Sequence, residues 1–230
     1  MSKAIHILVG ECSRDVQDTD KVFWENADWL MFANDGRTQL WELKPRIFET
    51  TEDMTLSLGV DQAVPNASKL FYEASSNKSH ISKRAITVVS EELLSRSRPN
   101  WRSEAPSARI VHYMYDEQRP GNFKVYPPAV AGSVIEVRYA KPPVELVTAN
   151  IDGTIPYLLI DEGTQYVALG YYMKARAYLK GANTSNGYGA KASSWIQLFQ
   201  ETVIGESNAK TRNSPNANKI GGGGPANKQP

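Results

Sequence analysis

The chain has 230 residues, 41% hydrophobic and 22% charged, with a formal net charge of +1 and one cysteine, enough for one large domain or two small ones, with no intramolecular disulfide. Residues 207–230 hold Lys210, Arg212, Lys219 and Lys228 and no acid, so the rest carries 22 bases against 25 acids, a body near −3. Such a body argues against a protein that grips nucleic acid through a broad basic face, and no apolar run approaches membrane-spanning length.

The apolar run before Cys12 is too short for a secretory leader, and Glu11 does not fit a lipoprotein box. A first helix is predicted from a Ser2 cap to about Arg14, with Ile5, Leu8, Val9 and Cys12 on one stripe. Residues 17–21 are polar and read as a loop. A second helix is predicted from near Asn26 to just before Pro45. Its apolar set is Trp29, Leu30, Phe32, Ala33, Leu40, Trp41 and Leu43; Gly36 interrupts it, either weakening the helix there or marking a close helix contact.

From Ile47 the period changes to two. Met54, Leu56 and Leu58 alternate with Thr55 and Ser57 before Gly59 turns the chain. Short strands are predicted at 62–65, 70–74 and 85–89, with 75–80 as a loop and a short helix capped by Ser90. Residues 110–143 then read as an antiparallel meander of three strands. Arg119–Asn122 supplies the first turn, Pro127-Pro128 closes the second strand, and Pro142-Pro143 ends the third.

The helical period returns with a helix from an Asp161 cap through Lys180 and another from about Tyr188 to Ile204. The first buries Tyr166, Val167, Leu169, Gly170, Met173, Ala177 and Tyr178; the second buries Ala192, Trp195, Ile196, Phe199 and Val203. Beyond Gly205 the chain is rich in Asn, Gly, Pro and Lys, with Ile220 its single large apolar residue, too little to fold alone. The expected architecture is α+β: a four-helix bundle from residues 1–46 and 150–206, an inserted antiparallel β-domain at 47–149, and an extended C-terminal tail at 207–230.

Candidate chemistry is sparse. His6, His80 and His112 lack any metal-binding spacing. Cys12 on a helix stripe reads as a small core residue. Asp116-Glu117 and Glu91-Glu92 fit turn and cap roles better than a glycosidase pair. Gly187–Lys191 lacks the preceding strand of a phosphate loop, and 221–225 reads as a linker. Tyr166, Tyr171, Tyr172 and Tyr178 suit helix packing or subunit contact better than base stacking, since no basic cluster surrounds them. Trp24, Trp29 and Trp101 read as core anchors or, in a ring-forming protein, as subunit-interface anchors.

An ordered set of short signatures spans residues 4–205: Cys12–Gln17 and Trp24; Trp29-Leu with Asn34-Asp35 and Pro45; Leu56–Gly59; Gln62–Pro65; Arg98–Trp101; Tyr115-Asp116 with Arg119–Phe123; Val125–Pro128; Val137–Pro143; Tyr172–Lys180; and Phe199. In this order they resemble the head-to-tail adaptor, or connector, proteins of tailed phages. One departure is the loop after Lys180, Gly181-Ala-Asn-Thr-Ser, where family members often carry an acidic residue. The resemblance implies a non-enzymatic virion protein, assembled in the host cytoplasm, without cofactor or metal. It also implies a ring, dodecameric, between portal and a tail or nozzle protein, through which viral DNA passes without specific binding.

On that resemblance the tail is expected to dock on the portal, with Ile220 as apolar anchor and Lys210, Arg212, Lys219 and Lys228 meeting acidic groups. The alternative is a carbohydrate- or host-binding β-module of a phage tail. A virion hydrolase would need a paired-carboxylate or Cys/His site, which the sequence does not offer.

Overall fold

The computed structural model describes residues 3–65, 70–115, 118–157, 159, 164–182 and 187–212. In chain order the elements are α1 (Ile5–Asp15), α2 (Asn26–Leu43), β1 (Glu49–Thr55), β2 (Gly59–Ala63), β3 (Leu70–Asn77), β4 (Thr87–Val88), α3 (Glu91–Ser97), β5 (His112–Tyr115), β6 (Asn122–Ala129), β7 (Val134–Ala140), α4 (Thr148–Ile151), α5 (Thr164–Lys180) and α6 (Tyr188–Arg212). The class is α+β. The chain divides into two compact units, Met1–Lys44, Glu145–Pro230 and Pro45–Val144.

In the helical unit α5 packs against α1, α2 and α6, while the single turn α4 packs on α1 and α2. The α1 stripe Ile5, Leu8, Val9 and Cys12 is buried, as its spacing requires. Ala4 holds the N-cap position without a side-chain bond, and the expected cap Ser2 lies outside the described residues. At α2 the Glu25 and Asp28 side chains form a reciprocal capping box. Gly36 marks a close approach: an added Cβ would lie 2.6 Å from Leu169 Cδ1 and 2.8 Å from Tyr172 Cδ1. The next residue, Arg37, is buried, its Nη2 donating to the Tyr157 hydroxyl at 2.5 Å.

Two expectations need correcting here. Val167 on α5 is partly exposed rather than buried. The last helix does not stop at Ile204; it continues to Arg212, so residues 207–212 are helical rather than extended. Residues 206–212 hold no proline or glycine, and their Ala, Lys and Arg favour helix enough to carry the turn forward. Asp161, the expected cap of α5, lies outside the described residues.

The β-unit holds two sheets. One has the order β1-β7-β3, and the other β2-β6-β5-β4 with β4 parallel to β5. The expected meander is therefore wrong. β5 and β6 pair antiparallel, but β7 leaves for the other sheet, where it pairs with β1 and β3. Nor do Pro127-Pro128 end β6, which runs through them to Ala129. A proline still offers its carbonyl, and Pro128 O accepts the Ser107 N–H at 2.8 Å. Likewise β3 continues to Asn77, into the stretch expected to be a loop.

The two sheets share one core. Met54, Phe71, Ala74, Ile135, Val137 and Tyr139 of the first meet Tyr113, Phe123, Val125 and Ala129 of the second. Phe71 and Phe123 stack with centroids 4.1 Å apart, joining the layers at the centre. A satellite cluster of Leu94, Trp101, Met114 and Tyr126 holds α3 against the sheet. Ser90 caps α3 by accepting the Leu93 N–H at 3.2 Å.

Candidate interaction surfaces

Several titratable side chains in the helical unit are engaged in packing contacts. Lys174 Nζ, on α5, lies 3.0 Å from Asp15 Oδ2 and 4.0 Å from the Trp195 ring centroid, fixing α5 to α1 and α6 together. The Tyr166 hydroxyl donates to Glu11 Oε2 at 2.5 Å, and burial holds its pKa above the ordinary phenol value. Between them Cys12 sits buried, its Sγ 3.7 Å from Gly170 O. Burial pushes its thiol up to about 12, so it stays protonated and is no nucleophile at neutral pH. Leu8, Cys12, Gly170 and Val167 line a shallow groove there, with Glu11 and Asp15 on its rim.

The four tyrosines of interest are spent on packing. Tyr171 lies against Trp195 at 5.5 Å, Tyr172 against Phe199 at 5.3 Å, and Tyr178 against Tyr188 at 5.2 Å, while Tyr166 serves Glu11. Each contact seats a helix on its neighbour.

Of the two readings of the tryptophans, core anchor or subunit-interface anchor, their burial supports the first. Trp24, Trp29 and Trp101 are 2%, 0% and 0% exposed. Trp101 donates to Ser95 Oγ at 3.1 Å inside the satellite cluster. Trp29 packs edge-on to Phe32 at 5.9 Å. Trp24 donates to Ala177 O at 3.0 Å. Large rings bury most area within the chain, so these three act as core anchors.

What Trp24 anchors is a loop. Asp18 accepts the backbone N–H groups of Val22 at 2.9 Å, Phe23 at 3.1 Å and Trp24 at 2.8 Å. With the indole held below, Val22 and Phe23 are presented outward, 82% and 50% exposed. Sequence reasoning selected the tryptophan and missed its exposed neighbours, since Asp18 organises them through main-chain groups.

In the β-unit the acids named as catalytic alternatives are ion-paired. Glu91 takes Lys124 Nζ at 2.7 Å and also Arg102; Glu92 takes Arg96 at 2.5 Å. The hydrogen bond from Lys124, then that from Arg102, holds the Glu91 carboxyl below its ordinary value. Asp116-Glu117 lies outside the described residues.

His6, His80 and His112 occupy α1, the β3–β4 loop and β5. His80 bonds Ser82 at 2.8 Å and His112 bonds Thr87 at 2.7 Å. Among the described residues no group of three or more His, Cys, Asp or Glu could hold a metal ion, and no helix is long and apolar enough to cross a membrane. Lys210 and Arg212 fall on the last turns of α6, while Lys219, Ile220 and Lys228 lie outside the described residues.

A family model described as SU10 adaptor protein matches residues 7–219. The chain belongs to this family of phage adaptor proteins. No curated protein matches it. The adaptor is a structural component of the phage virion, of a family whose role implies oligomerisation and association with portal and tail proteins. The extent of the match takes in both units of the adaptor, including α6 to its end.

Proposed function

We propose that twelve copies of this adaptor close into a ring seated between portal and tail, and that viral DNA passes through the opening without being specifically bound. The family match over residues 7–219 carries this reading. The near-neutral body suits a conduit, because a broad basic wall would hold the duplex back by its phosphates. Identical subunits in a ring meet through two different patches, head to tail, and the rotation must close. In this reading α1, α2, α5 and α6 act as a four-helix bundle, the β-unit is an insert, and assembly precedes virion completion in the host cytoplasm. The adaptor turns over no substrate.

The segment 207–230 is the proposed arm to the portal, with Lys210, Arg212, Lys219 and Lys228 meeting acidic groups and Ile220 packing beside them. Mass photometry and size-exclusion chromatography with and without portal test the ring. A discrete oligomer in the presence of portal is expected; a chain that stays monomeric and ignores the portal overturns the reading. Removing residues 213–230, and separately 207–230, is expected to reduce portal co-purification stepwise. Unchanged co-purification of both truncations would place portal binding elsewhere.

A further inference from the structure

Two exposed loops are both clamped at the base and opposite in charge. The first is residues 18–25 of the helical unit, where three backbone N–H groups converge on Asp18 and Val22 and Phe23 point outward. Its carboxylates Asp20 and Glu25 are exposed, and no cation among the described residues pairs with either. Lys21 is turned aside to Asn26 Oδ1 at 2.8 Å. The loop is thus a rigid apolar tip with an acidic border.

The second loop joins β3 to β4 in the β-unit. Buried Asn77 closes it, with Nδ2 donating to Arg84 O at 3.0 Å and to Ile110 O at 2.8 Å. Inside it Lys83 N–H donates to His80 O at 3.0 Å, and Ser79 Oγ accepts the Val134 N–H at 2.9 Å. Ile81 stands at the tip, 95% exposed. Lys78 is paired with Glu136, but Lys83 and Arg84 are exposed without an acidic partner among the described residues. The loop is a rigid apolar tip with a basic border.

Scattered exposed apolar side chains are ordinary. Here each sits on a loop held by several hydrogen bonds at its base, so part of the ordering entropy is already lost before any contact forms. We propose that the two loops meet between copies. The Ile81 loop of one molecule docks on the Val22–Phe23 loop of the next, with Lys83 and Arg84 opposite Asp20 and Glu25. Such a contact joins two different patches of the same chain and so propagates head to tail. It rests on the ring reading and names one of its contacts.

The test is a charge exchange in full-length protein, followed by mass photometry with portal present. D20K alone and R84E alone each set like charges against each other and are expected to raise the half-assembly concentration by about tenfold or more. An equimolar mixture of the two single variants restores opposite charge at the altered contact and is expected to assemble like wild type. I81D, which alters no border charge, is expected to abolish assembly. Circular dichroism and the thermal midpoint check that each variant folds. If wild type assembles and the variants assemble equally well, the contact is overturned and the ring stands. If R84E fails and D20K does not rescue it, the basic loop faces portal or nucleic acid, and the copy-to-copy contact is overturned. A wild type that never assembles overturns both.

Discussion

The indole N–H of Trp24 donates to the carbonyl of Ala177 at 3.0 Å, tying the loop after α1 to the last turns of α5. The ring also meets Tyr178 at 6.5 Å edge-on and Trp29 at 6.5 Å. Trp24→Phe keeps an aromatic body but leaves the bond unmade, at a cost of about 1–3 kcal/mol. Trp24→Ala also opens a cavity and is expected to cost about 3–5 kcal/mol. Urea unfolding followed by far-UV circular dichroism measures both; a Trp24→Ala variant within 1 kcal/mol of wild type would mean that the loop repacks freely.

Gly36 and Gly10 make opposite predictions within two helices. At Gly36 an added Cβ would lie 2.6 Å from Leu169 Cδ1 and 2.8 Å from a Tyr172 ring carbon, so Leu169, the Tyr172 ring or α5 itself must shift. Gly36→Ala is expected to lose about 1–3 kcal/mol to overpacking, against a helix-propensity gain of about 1 kcal/mol. Gly10, inside α1, has nothing within 4 Å of that position. Gly10→Ala is expected to gain about 0.5–1 kcal/mol. Thermal midpoints should therefore move in opposite directions, and a rise in both would refute the close packing of α2 on α5.

Asn77 is buried and serves three backbone groups: Arg84 O, Ile110 O and the Ile110 N–H at 2.8 Å. Asn77→Ala strands polar groups in the β-unit core, with an expected loss of about 2–4 kcal/mol. Hydrogen exchange at the Ile110 amide should accelerate markedly in the variant. Retained protection there would argue that another acceptor takes over.

Cys12 supplies a pH dependence with a defined sign. Its folded pKa, about 12, stands above the ordinary 9.0 because burial penalises the thiolate. The native state therefore holds the proton longer than the unfolded state, and stability falls as pH rises from about 9 toward 12. Cys12→Ala should show a shallower alkaline decline than wild type. A disulfide reagent at pH 8 should label Cys12 slowly in the native protein and rapidly in urea; equal rates would contradict the burial.

The α1 stripe, the extent of α2 and the tight spot at Gly36 were legible because helical spacing is local. The turn α4 was not, since four residues carry no period. The run after Gly205 looked like a stop because a glycine preceded polar residues, although residues 206–212 hold nothing that breaks a helix. Pro127-Pro128 looked like a strand end because a proline cannot donate, yet β6 needed only its carbonyls. The placement of β7 in the other sheet is a non-local pairing that alternation cannot reveal. Asp18 and Asn77 were invisible as organising residues because their partners are main-chain groups. The tryptophans were legible as anchors, but which surface they support depends on neighbours far away in sequence.

The path of the chain through the β-unit has a mechanical outcome. β1 and β2 are consecutive yet belong to different sheets, as do β2 and β3, β3 and β4, and β6 and β7. The two layers are laced by one thread, so a load applied to either is shared by both. Peeling one strand drags on the opposite layer, and the unit should yield all at once rather than unravel from an edge.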